Sequence, residues 1–325
     1  MANLLVIGEV ANGGVTKESL ETVSLALKLS VASGQSIYGA LLGAEDLSGA
    51  VAQFRCGFSS LLVVESPQMA TYLARPVVAA AEAVIRRVEP SIVLFPHSAK
   101  TRDWAPQLAA KLRVGLVLDC VNAEFGEDGL TVTKPMYGGG VLGQLLVHGH
   151  LALISVRGGV FEAATSSAGG GVEQLAMPNL SPSPHIRYLE SVSIEGGGGR
   201  RLKDAKTIVS GGRGTGGREN WHLIEEVAEA TSAEIGCSRA IVDMGWLKWN
   251  HQVGLSGTIV APDLYIAVGI SGAVQHLAGI SNAKTVVAIN NDPDAEIFKR
   301  ADYGVVGDFK EVLPAFIESV KEYRK

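Results

Sequence analysis

Residues 264–279 read LYIAVGISGAVQHLAG, and this stretch decides the fold. Five residues of buried-strand character, Leu264–Val268, run into Gly269-Ile270-Ser271-Gly272, and a helical segment over 273–278 begins at once. A strand that ends in glycines and passes directly into a helix opens a βα unit of a parallel, Rossmann-like sheet. Gly269 and Gly272 allow a tight turn and a close approach of backbone to ligand. The helix start offers N–H groups without intrahelical acceptors and a positive dipole end, a setting that suits a pyrophosphate. Ser271 adds a hydroxyl, and Gln275 and His276 can reach a ligand lying across that end. Glycine spacing by itself is shared by ordinary βα turns, in which His276 would simply face the core.

The same alternation continues on both sides. Upstream, 207–210 reads as a strand followed by the turn SGGRGTGG, 219–232 as a helix and 240–243 as a short strand. Downstream come a strand at 285–290, a short helix at 296–300, a strand at 303–306 and a closing helix at 310–323. Candidate ligand contacts collect where these strands end. Arg213 lies in the first glycine turn. Ser238 and Arg239 just precede the expected 240–243 strand. Gln252, Val253, Gly254, Leu255 and Ser256 form a loop bracketed by glycines. Asn290 and Asp308 follow strands, Asp308 as an acceptor of ribose hydroxyls or as the N-cap of the helix that begins near Phe309. Loops at the carboxyl ends of neighbouring strands describe one crevice. Two arginines and a histidine there suit an extended anionic ligand such as a dinucleotide.

The first half is also α/β. Strands expected at 2–10, 36–42, 61–65 and 91–96 alternate with helices at 16–30, 45–54, 70–88 and 102–112, and Thr16 is placed as an N-cap. From 117 the pattern changes to consecutive strands at 117–124, 130–137, 143–147 and 151–156, so this sheet is expected to be mixed and to end in antiparallel strands. One further strand fits 188–194. Serine, glycine and proline collect at 166–171 and 181–184, and glycines at 195–199. That run sets a domain boundary near 195–205, giving an N-terminal domain over 1–200 and a C-terminal one over 201–325.

Composition narrows the function. The chain has 325 residues, a net charge of −5 and no basic stripe, which argues against nucleic acid. Cys56, Cys120 and Cys237 are odd in number and widely spaced, so neither a zinc site nor a disulfide framework is indicated, and buried free thiols are expected. No run of 18 apolar residues occurs and no leader-like segment opens the chain, so no membrane insertion and a cytoplasmic location are expected. The first βα turn, Gly8 to Gly14, lacks the G-x-G-x-x-G spacing that a nicotinamide-dependent dehydrogenase would place there.

The segment LYIAVGISGAVQHLAGISNAKTVVAIN with the following DPDAEIFKRADYGVVGDF closely resembles the FAD domain of electron-transfer flavoprotein alpha subunits. The likeness extends back through GCSRAIVDMG and SGGRG and, more loosely, to LLVIGEVANGGVTKESLETVSLALKL, so it spans nearly the whole chain. The resemblance implies one FAD in the C-terminal domain. Arg213, Ser238 and Arg239 would contact it, with Arg239 over the isoalloxazine ring, where a cation raises the reduction potential. Residues 252–257 match a QVGQTG loop. Ser256 keeps a hydroxyl for flavin N5, whereas Leu255 replaces the usual glutamine and retains only a backbone contact. Ser271, Gly272, Ala273, Val274, Gln275 and His276 would hold ribityl and phosphate groups. His276 would lie near flavin O2 and, if protonated, stabilise negative charge there. Asn290, Asp308 and Phe309 would hold the adenosine part. The resemblance further implies an electron carrier of fatty acid β-oxidation type rather than an enzyme. It would pair with a smaller beta subunit carrying AMP or a second FAD, and would pass electrons from acyl-CoA-dehydrogenase-type flavoproteins to a quinone reductase or other acceptor. A FAD domain swinging on the 195–199 hinge is part of this expectation. Two alternatives stay open: a flavin-based bifurcating complex, and a non-redox adenine-nucleotide-binding module.

Overall fold

The computed structural model describes residues 3–44, 46–181, 186–190 and 202–323. The chain divides into two compact units, residues 1–135 with 142–191 and residues 136–141 with 192–325. The glycine run at 195–199 lies outside the described residues, as does most of the strand expected at 188–194. The described part of that segment, 188–190, carries no strand.

In the first unit the chain runs β1 (Asn3–Gly8), a small hairpin of β2 (Val10–Ala11) and β3 (Gly14–Val15), helix Lys17–Ser33, β4 (Ile37–Gly43), helix Ser48–Phe54, β5 (Ser60–Glu65), helix Ala74–Val88, β6 (Pro90–Pro96) and helix Ala99–Leu112. It continues through β7 (Gly115–Cys120), β8 (Asn122–Gly126), β9 (Gly129–Met136), β10 (Val141–Val147), β11 (Ala152–Val156) and β12 (Val172–Gln174). Seven strands form one sheet in the order β12-β5-β4-β1-β6-β11-β7. Its neighbouring strands pair in parallel. Thr16 does stand at the N-cap of the first helix, but its hydroxyl meets Ser19 Oγ at 2.8 Å instead of a backbone amide.

The antiparallel strands do not end this sheet. β8 and β9 pair antiparallel in a separate three-stranded sheet, β10-β9-β8. The continuous strand expected at 117–124 breaks at Val121. Asp119 takes φ +67°, and the β11–β7 register shifts between Ile154 and Val156, so the chain leaves one sheet and enters the other. Alternate residues of the seven-stranded sheet feed two cores, Leu4, Val6, Leu41 and Leu94 on one face and Leu5, Ile7, Ala40 and Val93 on the other. Burial on both faces is why these strands read as continuous apolar runs.

The second unit contains β13 (Thr207–Gly211), helix Trp221–Thr231, β14 (Glu234–Cys237), helix Arg239–Asp243, β15 (Leu264–Val268), helix Val274–Gly279, β16 (Thr285–Asn290), β17 (Tyr303–Val306) and helix Phe309–Tyr323. The sheet order is β14-β13-β15-β16-β17, all parallel. One expectation is corrected here. Residues 240–243 are helical, not a strand, and the strand lies just before them. Glu234–Cys237 align with residues 208–211 of β13, and the Met244 amide then donates to the Ala240 carbonyl at 3.0 Å to close a helical turn. Ser238 and Arg239 therefore follow a strand, at its carboxyl end.

This order fixes where a ligand can enter. β14 lies on one side of β13 and β15 on the other, so the loops after β13 and β15 diverge and leave a crevice between them. Among the described residues no helix is long and apolar enough to cross a membrane, and no group of three or more potential metal ligands occurs. The three cysteines are buried and unpaired in disulfides.

Candidate functional site

The turns after β13 and β15 are tied to each other by backbone alone. The Gly212 amide donates to the Val268 carbonyl at 2.8 Å and the Gly214 amide to the Gly269 carbonyl at 2.9 Å. A Cβ on Gly269, which takes φ +60°, would lie 2.7 Å from the Gly214 carbonyl carbon. Gly272 takes φ +87°, and a Cβ there would collide with the backbone of Glu296 and Ile297. Side chains are excluded on both sides, so peptide groups form the crevice floor.

A cavity of about 660 Å³ opens above this floor. Into it the loop after β13 brings Arg213, and the loop after β14 brings Ser238 and Arg239. The loop before β15 contributes Gln252, Val253, Gly254 and Ser256. The turn after β15 contributes Ser271, Ala273, Gln275 and His276. A second cavity of about 210 Å³ is lined by Asp308 and Phe309 together with Thr215, Asn220 and Lys310. Gly214, Gly269 and Asn290 line both, so the two are lobes of one elongated cleft along the carboxyl edge of the sheet. The larger lobe lies within the usual size of small-molecule sites.

Three expected contacts are not brought to the cleft. Leu255 is 51% exposed, and its amide is committed to the Gln275 carbonyl at 2.9 Å. Gly272 is wedged against Ile297, and Val274 is 56% exposed.

Hydrogen bonds set what the remaining groups can do. Gln252, itself buried, donates Nε2 to Ser256 Oγ at 2.8 Å. That bond fills an acceptor position of the hydroxyl and leaves its proton to donate elsewhere. Arg239 is largely exposed and pairs with Asp243 at 3.4 Å, a geometry in which the cation stays mobile and screened. Asn290 is structural as well as cleft-lining: Nδ2 donates to the Ile270 carbonyl at 3.0 Å, and Oδ1 accepts from the Asp292 amide at 3.0 Å. Asp308 accepts the Lys310 amide at 2.9 Å at the start of the last helix, which matches the N-cap reading and engages one of its oxygens. His276 is buried and its Nε2 lies 2.9 Å from the Tyr265 hydroxyl. Burial brings its pKa down to about 4, against a smaller opposing pull from the Val253 backbone. The imidazole is thus neutral near pH 7, and the charge stabilisation that a protonated His276 would give is not available in that state.

Sequence reading missed Thr215, Asn220, Asp292 and Lys310, which line the cleft, and Tyr265, which lies beneath it. Thr215 and Asn220 sit in short 3-10 turns, Asp292 on a loop and Lys310 in the first turn of the last helix, positions where nothing in the sequence marks a ligand contact. Tyr265 looks like an ordinary core residue of β15.

The comparisons fall on the same parts of the chain. Residues 201–281 match the electron transfer flavoprotein FAD-binding domain, and residues 4–180 match the electron transfer flavoprotein domain. The electron transfer flavoprotein subunit alpha of Thermoanaerobacterium thermosaccharolyticum is 36% identical over 328 residues, covering 99% of this chain and 98% of that one. This chain belongs to the electron transfer flavoprotein alpha-subunit family. The Bacillus subtilis protein of the same name is 34% identical, covering 98% of this chain and 97% of its own length. Protein FixB of Clostridium saccharobutylicum is 33% identical, with 98% and 96% covered. The FAD-binding domain match contains β13, β14, β15 and the lobe-lining residues from Arg213 to His276, while Asn290, Asp292 and Ala295 lie just beyond it. The cofactor of that domain is FAD.

Proposed function

We propose that this chain is the flavin-bearing subunit of a two-subunit electron carrier, accepting electrons from a flavoprotein dehydrogenase of acyl-CoA dehydrogenase type and passing them to a quinone reductase or another redox acceptor. The observation that carries this reading is the two-lobed cleft within the FAD-binding family domain and the strands that follow it. Its donors fit the group. Arg213, Arg239 and Ser256 supply hydrogen bonds and positive charge in the wide lobe, while Asp308, Phe309 and Asn290 border the narrow one. In this reading the isoalloxazine lies among Arg239, Ser256 and His276, with the adenosine toward Asp308. FAD supplies the redox chemistry, and the protein binds it, orients it and tunes its affinity for electrons.

A smaller beta subunit completes the reading. Strand β10 leaves Leu142, Leu145 and Leu146 between 38% and 62% exposed in the first unit, an apolar strip that suits a protein partner. Co-expression with a beta subunit of the same organism, followed by flavin counting and reduction by an acyl-CoA dehydrogenase with its substrate, tests the proposal. One FAD per heterodimer that is reduced in this way is expected. A colourless heterodimer refutes it. Two FAD per heterodimer places the protein in a bifurcating complex instead.

A further inference from the structure

We propose that the first unit carries a small-molecule site of its own, for an uncharged ribonucleoside, in the cavity at the carboxyl edge of its seven-stranded sheet. None of the residues that line this cavity belongs to the two-lobed cleft of the second unit.

Strand order places the site. From β1 the chain moves outward to β4 and β5 on one side, then returns to β6 on the other. The loops after β1 and β6 therefore diverge, and ligands of open parallel sheets enter at such a point. A cavity of about 360 Å³ lies there, within the usual size of small-molecule sites. All four strands contribute to it: Glu9 follows β1, Asp46 follows β4, Tyr72 follows β5 and Lys100 follows β6. The Tyr72 hydroxyl donates to Asp103 Oδ2 at 2.8 Å and lies 3.1 Å from the Lys100 carbonyl. These bonds tie the segment after β5 to the helix Ala99–Leu112 and fix that wall. Met69, Val77 and Trp104 make the lining partly apolar, and Trp104 is held by Phe95, with ring centroids 4.9 Å apart. Such a wall suits a flat ring.

Charge selects the rest of the ligand. Glu9 and Asp46 bring two carboxylates, and Lys100 the one ammonium, already paired with Glu9 at 3.4 Å. The helix Ala99–Leu112 begins at this edge, but its own residues close its start. The Ser98 amide donates to Thr101 Oγ1 at 2.8 Å, and the Thr101 amide donates to Ser98 Oγ at 3.2 Å. A phosphate would meet a net negative lining, an engaged cation and a capped helix. Hydroxyl groups would meet acceptors instead. Asp46 is exposed, and it accepts from the Ser48 amide at 3.3 Å and the Ser48 hydroxyl at 2.6 Å, both on Oδ1. Oδ2 is left for a ligand. A carboxylate at the end of a neighbouring parallel strand is the group that takes ribose hydroxyls in sheets of this kind. A flat ring carrying a sugar diol and no phosphate satisfies both halves of the lining.

The test is equilibrium dialysis of the full-length chain, copurified with its beta subunit, against tritiated adenosine, guanosine, cytidine and uridine. At least one should saturate below about 1 mM. Asp46→Asn should weaken that nucleoside by about tenfold or more, the worth of a hydrogen bond to a charged group, while flavin absorbance stays unchanged. The 2′,3′-dideoxy analogue should be weakened by a similar factor in the wild type and lose little more in Asp46→Asn. A binding site on the beta subunit would not respond to Asp46→Asn. No saturation by any of the four up to about 1 mM, or equal affinity in wild type and Asp46→Asn, overturns the site. Should Asp46→Asn not fold, the wild-type comparison of the nucleoside with its dideoxy analogue decides, and equal affinities overturn it. The 5′-monophosphate should bind no tighter than the nucleoside. A monophosphate bound about tenfold tighter, with the gain lost in Lys100→Met, overturns the uncharged assignment.

Discussion

Replacing Gly272 with alanine should be far more damaging than an alanine at a glycine of similar backbone angle. At φ +87° a Cβ meets the left-handed penalty of about 1–2 kcal/mol. That same atom would stand 2.6 Å from the Glu296 carbonyl carbon and 2.7 Å from Ile297 Cα. Both are backbone and cannot swing aside, so the 296–297 segment must move by about 1 Å, at a cost of about 1–3 kcal/mol. The shift also breaks the bond from the Ile297 amide to the Ser271 carbonyl, 3.1 Å long and worth about 1 kcal/mol. Gly245, at φ +71°, has no atom within 4 Å of an added Cβ, so Gly245→Ala meets only the backbone penalty. The two variants should differ by about 2–4 kcal/mol. Three of the four tryptophans, Trp221, Trp246 and Trp249, lie in the second unit, so fluorescence during urea unfolding reports mainly on it. Equal stabilities for the two variants, within about 0.5 kcal/mol, would refute the reasoning that the turn is pressed against the 296–297 backbone.

Three other outcomes can be measured on the same protein. Ser256→Ala removes the hydroxyl whose acceptor side Gln252 already fills. It should lower the two-electron potential by about 30 mV, the equivalent of one hydrogen bond, and also lower stability by about 1 kcal/mol, because the buried Gln252 Nε2 loses its acceptor. Arg239→Ala should also lower the potential in a redox titration while FAD stays bound. Because Arg239 is 72% exposed, that decrease should shrink as salt rises from 0.01 to about 1 M. The low pKa of His276, about 4 against an ordinary 6.5, means the unfolded chain takes up a proton before the folded one does as pH falls. The flavin-free protein should therefore lose stability between about pH 6.5 and pH 4, with a slope approaching ~1.4 kcal/mol per pH unit, and His276→Gln should flatten it.

Sequence conveyed the fold where backbone demands are local. Gly269 and Gly272 mark the β15 turn because only glycine accepts those angles and that crowding, and β15, β16 and β17 were legible as apolar runs. Short elements failed. Glu234–Cys237 is a four-residue strand whose side chains carry no alternation, and its identity comes from pairing with β13. Residues 240–243, Ala-Ile-Val-Asp, favour a strand locally, yet they form the helical turn that the end of β14 dictates. The antiparallel strands were visible, but their separation into a second sheet depends on the bend at Asp119. Most cleft residues were found through the glycine turns and the family resemblance. What each side chain does was not legible, because it depends on contacts between loops: Asn290 with Ile270, Gln252 with Ser256, and Tyr265 with His276.

The most direct measurement is a structure of the chain purified with its beta subunit, combined with identification of the flavin released on denaturation. One FAD stretched along the carboxyl edge of β13, β15 and β16, with its ring beside Arg239, Ser256 and His276 and its adenine beside Asp308, is the predicted result. FMN, a nicotinamide nucleotide, or a flavin found only outside this cleft would contradict the account.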